Sequence, residues 1–399
     1  MTRIALALFV IGAAFGCAAR AKGRGAQAQA WSVRMADSIV ARNPQPFQIE
    51  ASSHKWNYAT AFAVYAIARV GQRTGDSRYL DYATQYMSHF VNRDGVITTP
   101  TYDPQAYRLD DVAPGRLVLL LHASTGEPKY LRAADALAAQ LRTQPRTSDG
   151  GFWHKQIYPH QMWLDGIYMA CPFMVEYGRA KKEPQWFDEC ARQIITIARH
   201  TRDARTGLFH HGWDESRGEA WADRTTGLSS AFWGRAVGWY AMGIVETLDA
   251  MPADHPQRPE LVQLFRALAD TVVAVQDPTS GLWYQVLDQP KRAGNYLESS
   301  ASCMFVYTLA KGARLGLLDA QHAAAARKGY DGILQRFVKE EADGRISLID
   351  TCQVAGLGGN GKTRDGSFAY YISEPRVAND PKGLAPFMLA ALEMEQADR

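Results

Sequence analysis

The sequence predicts an all-α chain folded as an (α/α)6 barrel, a double toroid of six helical hairpins. Segments with helical periodicity recur in pairs along the chain. Within each pair one member is apolar nearly all round, as suits a helix buried on both sides, and the other carries one apolar stripe and a polar back. Links within pairs are short, whereas connectors between pairs are long and irregular. The first members therefore belong to an inner ring and the second members to an outer ring around it.

Asn57 to Gly71 (NYATAFAVYAIARVG) reads as the first inner helix, and Asp76 to Val91, striped by Tyr79, Ala83, Tyr86, Met87 and Phe90, as its outer partner. Asp111 to Ala123 pairs with Pro128 to Arg142, and Trp163 to Tyr177 with Gln185 to Arg199. Ser230 to Ala250 pairs with Glu260 to Gln276, and Leu297 to Leu315 with Asp319 to Val338. The helix after Trp31 and the last one, Lys382 to Glu395, supply a sixth pair across the termini. Gly75-Asp76, Gly126 to Pro128 and Glu183-Pro184 mark the tight links. The stretches Thr143 to Met162, Arg202 to Leu228 and Asp277 to Tyr296 form longer loops rich in Trp, His, Gly and Asp, the kind of loop that carries function on a rigid scaffold. Asp350 to Gly366, with five glycines, reads as a ligand-facing or mobile loop.

The 399 residues, 47% hydrophobic and 21% charged, suit an ordinary globular chain with a large core. Lys and Arg exceed Asp and Glu by 44 − 41 = 3 without a long basic run, so no nucleic-acid partner is expected. Residues 1–30 read as a signal peptide, a basic residue followed by an apolar run too brief to span a membrane, with Ala28 to Ala30 as the cleavage site and Cys17 as a competing lipid-anchor site. Residues 31–399 then form one catalytic domain of an exported protein. Cys171, Cys190, Cys303 and Cys352 have neither metal-ligand spacing nor the density of a disulfide scaffold, and read as buried thiols.

Several residues have the chemistry of a catalytic site. Asp165 opens an otherwise apolar inner helix between Trp163, Leu164, Ile167 and Tyr168, surroundings that favour the protonated carboxyl of a general acid; capping of the helix start is the competing reading. Asp110, beside Asp111 at the second inner helix, faces the same choice. If corresponding ends of the inner helices line one crater, Asp110 and Asp165 share it. Gly150 to Gly166 gathers aromatics, His154, Lys155 and Asp165, a mixture suited to an acidic saccharide. Arg235, between Trp233 and Trp239, suits a substrate carboxylate or a structural stack. His210 and His211 are adjacent and lack a companion carboxylate at zinc-motif spacing, so metal catalysis is not expected. Neither Gly-x-Ser-x-Gly nor a Gly-x-Gly-x-x-Gly after a strand occurs, so neither a serine nucleophile nor a nucleotide cofactor is indicated.

Gly151 to Gln156 (GFWHKQ), His160 to Met169 (HQMWLDGIYM), His211 to Asp214 (HGWD), Phe232 to Tyr240 (FWGRAVGWY), Gly281 to Asp288 (GLWYQVLD) and Asn295 to Ser300 (NYLESS), in this order, resemble the unsaturated rhamnogalacturonyl hydrolases of glycoside hydrolase family 105. The resemblance implies an (α/α)6 barrel that removes Δ4,5-unsaturated galacturonyl residues by hydrating their double bond, without a cofactor. It implies Asp165 as general acid and base, Asp110 as the second acidic residue, and Lys155, Trp163, His211 and Arg235 as pocket residues, with His154 and Trp239 beside them. Lys155 and Arg235 would orient the uronate carboxylate and Trp163 would cover a sugar face. The Gly-rich segment after Asp350 has no counterpart in the family pattern. Three other readings stand beside this one: an unsaturated β-glucuronyl hydrolase acting on ulvan or glycosaminoglycan fragments, an inverting glycosidase using both aspartates, and a sugar-binding toroid without catalysis.

Overall fold

The computed structural model describes residues 29–359 and 364–398; most of the leader, with Cys17, lies outside the described residues. The chain forms α1 (Trp31–Arg42), α2 (Tyr58–Thr74), α3 (Ser77–Ser88), α4 (Gly115–Thr125), α5 (Pro128–Arg142), α6 (Leu164–Lys181), α7 (Gln185–Thr201), α8 (Gly234–Ala250), α9 (Arg258–Ala274), α10 (Ser299–Arg314), α11 (Ala320–Arg336), α12 (Phe368–Ser373) and α13 (Pro381–Ala397). Three two-stranded ribbons accompany them: β1 (Gln161–Trp163) with β2 (Gly212–Asp214), β3 (Val338–Glu340) with β4 (Ile346–Leu348), and β5 (Thr351–Cys352) with β6 (Arg376–Val377).

Helices α2, α4, α6, α8, α10 and α13 pack in sequence around a closed inner ring, and α13 returns to α2. Their outer partners are α3, α5, α7, α9, α11 and α1, so the sixth hairpin joins the two ends of the chain as the sequence predicts. A hydrogen-bonded pair ties that junction: Ser32 donates both its N–H and its hydroxyl to the Glu395 carboxylate. The four cysteines among the described residues are buried and unpaired. One element escapes the periodicity argument: α12, six residues long, follows the Gly-rich loop.

Local chemistry sets the helix ends. Asn57 caps α2 by accepting from Thr60 N at 2.9 Å, and Gly75 ends it at φ 76°, a left-handed conformation that glycine adopts without a Cβ clash. Asp76 then caps α3 at once, accepting from Arg78 N at 3.0 Å, so the hairpin turns in two residues. The inner helices approach closely where side chains are small. A Cβ on Gly243 of α8 would come within 2.9 Å of Ile167 and 3.2 Å of the Tyr168 backbone N on α6.

At the end of the barrel reached by the later turns of α6, α8 and α10, an ionic network fills the axis. Glu246 accepts from Arg116 at 3.1 Å, from Lys311 at 2.8 Å and from the Tyr307 hydroxyl, while Arg116 also reaches Glu176 at 2.7 Å. Burial alone would raise the Glu246 pKa, yet the two cations outweigh it and hold the carboxyl ionised well below the usual range. Such a network costs desolvation when formed and more when broken, because the remaining charges stay buried. Glu246→Gln is expected to destabilise the fold by about 3 kcal/mol, measured by urea denaturation at neutral pH. A loss within error would show that Glu176 and Asp249 compensate the two cations alone.

Asp111 follows Asp110 in a 3-10 turn, Leu109–Asp111, ahead of α4. It is 4% exposed and its Oδ2 has no hydrogen-bond partner. Burial, then the neighbouring Asp110 charge, push its pKa up to about 7. An acid whose pKa is raised on folding binds more protons folded than unfolded, so stability falls as pH rises from the unfolded value near 4 to about 7 and then levels. Asp111→Asn is expected to be more stable than the parent at pH 8, with the difference shrinking towards pH 4. Denaturation of both proteins at the two pH values checks this, and a difference independent of pH would sink the assignment.

Candidate active site

The six inner helices run in the same sense; α2, α6, α8, α10 and α13 begin at the end opposite the ionic network, where the 3-10 turn ahead of α4 also lies, while α4 itself starts deeper, with Arg116 already in the network. Tyr58 begins α2, Asp110 precedes α4, Asp165 and Arg235 are the second residues of α6 and α8, Glu298 caps α10 and Asp380 caps α13. The charges of Asp110, Arg235, Asp165 and Asp380 all bear on the Tyr58 hydroxyl, whose pKa burial raises first and foremost. One crater therefore holds residues scattered over most of the sequence, including the expected pair Asp110 and Asp165.

A ladder of backbone bonds fixes the geometry. Leu109 N donates to His154 O at 3.1 Å, and His154 N donates to Gln161 O at 2.8 Å. Gln161 in turn pairs with Asp214, and Trp163 with Gly212, in the β1–β2 ribbon. The next bond, Leu164 N to His211 O at 2.9 Å, sets His211 against the start of α6. Asp165 and His211 thus meet because ribbon register leaves them no alternative.

Asp165 does not cap its helix, since no backbone N–H donates to its carboxylate; instead Oδ2 lies 3.0 Å from His211 Nε2. The contact is close but out of line for a hydrogen bond, so both atoms retain a free bonding direction. Catalytic contacts of this kind align when substrate arrives. His211 is fully buried, and its Nδ1 lies 2.7 Å from the hydroxyl of Tyr371 on α12. That hydroxyl has no other hydrogen-bond partner among the described residues, and the contact holds the imidazole with Nε2 facing Asp165.

Asp110 is engaged differently. Lys155 Nζ is 2.7 Å from its Oδ2 and His154 Nε2 3.5 Å from its Oδ1. Burial raises its pKa, but Lys155 and then His154 outweigh that effect and leave it below the ordinary carboxylate value. Lys155 is held charged by the same pairing against its own burial. His154, 2% exposed, is driven down to about 4 by burial, so it is neutral at physiological pH.

The aromatic residues take other places than the sequence suggests. Trp163 stacks with His154 at 4.5 Å and with Tyr158 at 5.0 Å, turns toward the His211 ring at 5.5 Å and is 7% exposed. It is a packed wall of the site and offers no open face to a sugar, which corrects that expectation. Trp239, 1% exposed, packs beneath the crater on Phe62 and Tyr168. Arg235 lies over Trp233 at 4.8 Å, with no stacking on Trp239. Its Nη1 donates to Ser300 Oγ at 3.3 Å and to the Cys352 carbonyl, while Nε is buried without a partner. Glu298 organises this corner: it accepts from Ala301 N at 2.7 Å, from Cys352 N at 2.9 Å and from the Ser300 hydroxyl at 2.8 Å. Sequence reasoning missed Tyr58 and Tyr371. The pair Tyr370-Tyr371 behind a Gly-rich loop was the signal available for the second.

The profile described as Glycosyl Hydrolase Family 88 matches residues 31–397. A solved glycoside hydrolase from family 105 of Clostridium acetobutylicum ATCC 824 superposes with a TM-score of 0.88 at 43% identity, covering 92% of this chain and 100% of that one. The unsaturated rhamnogalacturonyl hydrolase YesR of Bacillus subtilis (strain 168) is 28% identical over 78% of this chain and 83% of its own length. The unsaturated glucuronyl hydrolase of Bacillus sp. GL1 shares the fold, with a TM-score of 0.67 at 15% identity over 92% of this chain and 96% of that one. The chain is an (α/α)6-barrel glycoside hydrolase that belongs to the Glycosyl Hydrolase Family 88 group and, within it, to family 105.

Proposed function

We propose that the enzyme removes Δ4,5-unsaturated galacturonyl residues from the non-reducing ends of rhamnogalacturonan or pectin oligosaccharides, and that it does so after export through its leader. The observation that carries the reaction type is the unequal state of the two acids. Asp110 is tied to Lys155 and held ionised, so it is a poor proton donor. Asp165 touches only His211 and keeps a free bonding direction. One free acid suits hydration of a vinyl ether, in which a single group performs both proton steps, whereas an inverting glycosidase needs its second carboxylate free to activate water and Asp110 is engaged by Lys155.

In this reading Asp165 donates its proton to C4 while positive charge develops at C5 and the ring oxygen. A water then adds at C5 and returns a proton to the Asp165 carboxylate. The hemiketal so formed opens, and the anomeric centre, now a hemiacetal, releases the partner sugar. His211 Nε2 faces the Asp165 carboxylate, and in this reading it carries a proton there and stabilises the carboxylate between the two proton steps. Lys155 and Arg235 supply cations for the uronate carboxylate, and Asp110 keeps Lys155 in place.

Asp165→Asn is expected to lower kcat by about 10²–10⁴-fold with substrate binding retained. A panel of unsaturated galacturonyl and glucuronyl disaccharides, followed by loss of double-bond absorbance, reads both activity and preference. Turnover of saturated analogues at a similar rate would refute the hydration reading, and a preference for glucuronyl substrates would establish the alternative noted from sequence. Tyr371→Phe is expected to lower kcat about tenfold with KM nearly unchanged and a displaced pH profile, because the His211 ring loses the hydroxyl that bonds its Nδ1. An effect confined to KM would assign Tyr371 to packing instead.

A further inference from the structure

A cavity of about 370 Å³ borders the ionic network, at the end of the barrel away from the crater. Its size falls in the range of roughly 300–1,000 Å³ usual for small-molecule sites. Four inner helices contribute to its wall: Tyr65 and Arg69 on α2, Leu120 on α4, Arg179 on α6 and Asp249 on α8. Tyr65, 4% exposed, bonds Arg69 Nη1 at 2.9 Å and Arg116 Nη2 at 2.8 Å. A guanidinium can only donate, so the Tyr65 oxygen accepts in both bonds. Its own hydrogen meets no acceptor among the described residues. An acceptor that completes this buried hydroxyl would enter from the cavity that Tyr65 lines.

Charge points the same way. Arg116 and Lys311 serve three carboxylates: Glu176 at 2.7 Å, Glu246 at 3.1 and 2.8 Å, and Asp249 at 2.9 Å. Arg69 balances the third of these charges while bonding only the Tyr65 hydroxyl, and Arg179 adds a further cation with no ion pair among the described residues. A cation in the last turn of a helix is favourable by itself, which accounts for Arg179 on α6. It does not account for Arg69, more than a turn before the end of α2, or for Tyr65 a turn earlier still. The rest of the wall narrows the ligand. Leu119 and Leu120 are apolar, and Glu176 Oε2 and Asp249 Oδ1 accept no hydrogen bond among the described residues. A bare inorganic anion leaves those features unused. A hydroxylated organic acid uses them, setting its carboxylate on the guanidinium donors and its hydroxyls on the two carboxylate oxygens.

We propose that this cavity is a second binding site, for a small hydroxylated monocarboxylate of sugar-acid size whose carboxylate rests on Arg69, Arg179 and the Tyr65 hydroxyl. The test is calorimetric titration of the whole enzyme with D-galacturonate, which has no double bond to hydrate. The parent is expected to bind it, and Arg69→Gln and Arg179→Gln are each expected to raise Kd about tenfold. Arg179 is exposed, so its replacement leaves the fold intact even if that of Arg69 does not. Lys155→Met, altered in the crater, is expected to bind as the parent does. Absence of binding to the parent, or a Kd unchanged in both arginine variants, would overturn the site. A loss confined to Lys155→Met would place the sugar acid in the crater and overturn it equally. Inorganic phosphate bound as tightly as galacturonate would overturn the choice of a hydroxylated organic acid.

Discussion

Closure of six like-directed helices into a ring brings five helix N-termini and the 3-10 turn ahead of α4 to one end of the barrel, and the remaining features of the site follow from that constraint. Each N-terminus presents unsatisfied N–H groups and a partial positive charge, so carboxylates gather there. Glu298 and Asp380 occupy such positions and spend their oxygens on capping, Glu298 with Ala301 N and Asp380 with Lys382 N at 2.9 Å. Asp165 lies further on, as the second residue of α6 behind the N-cap Trp163, and caps nothing. The difference lies in what precedes the helix: α6 continues directly from β1, whose ribbon with β2 brings His211 alongside. An acid that elsewhere in the ring is structural is left available for chemistry.

The opposite end of the barrel is organised to the contrary effect. Arg116, Glu246 and Lys311 are all nearly buried and satisfy one another across three inner helices. Compensated charge there locks the ring, while the crater holds Asp165 Oδ2, His211 Nε2 and Arg235 Nε, three of the buried polar atoms that have no hydrogen-bond partner among the described residues. Buried polar atoms without partners are costly, and these three lie where the proposed reaction places its substrate.

Most of the architecture was legible in the sequence because two-sided and one-sided burial produce different periodicities. An inner helix such as α2 is apolar all round and an outer one such as α7 is striped, so ring and order could be read without any long-range information. The sixth hairpin was legible only by elimination, since α1 and α13 meet from opposite ends of the chain. Asp165, Asp110, Lys155 and His211 stood out through motif and composition, and the structure brings them into one crater. The aromatics were misread for a physical reason: composition reveals that Trp163 and Trp239 are present, whereas the freedom of their faces depends on His154, Tyr158, Phe62 and Tyr168, neighbours distant in sequence or across a loop. Tyr371 was missed because its helix is too short for a periodic signal and its partner is 160 positions away, which left the Tyr370-Tyr371 pair as the one local sign of it.

The central claim is that Asp165 acts on the double bond of the uronyl ring and leaves the glycosidic bond to break by itself. The most direct measurement replaces the glycosidic oxygen of an unsaturated disaccharide by sulfur, a change that disables acid-assisted cleavage at the anomeric carbon but leaves the vinyl ether untouched. Hydration by Asp165 predicts that the thioglycoside loses its double-bond absorbance at a rate comparable to that of the oxygen-linked substrate. An inert thioglycoside beside a readily cleaved oxygen-linked one would contradict the account.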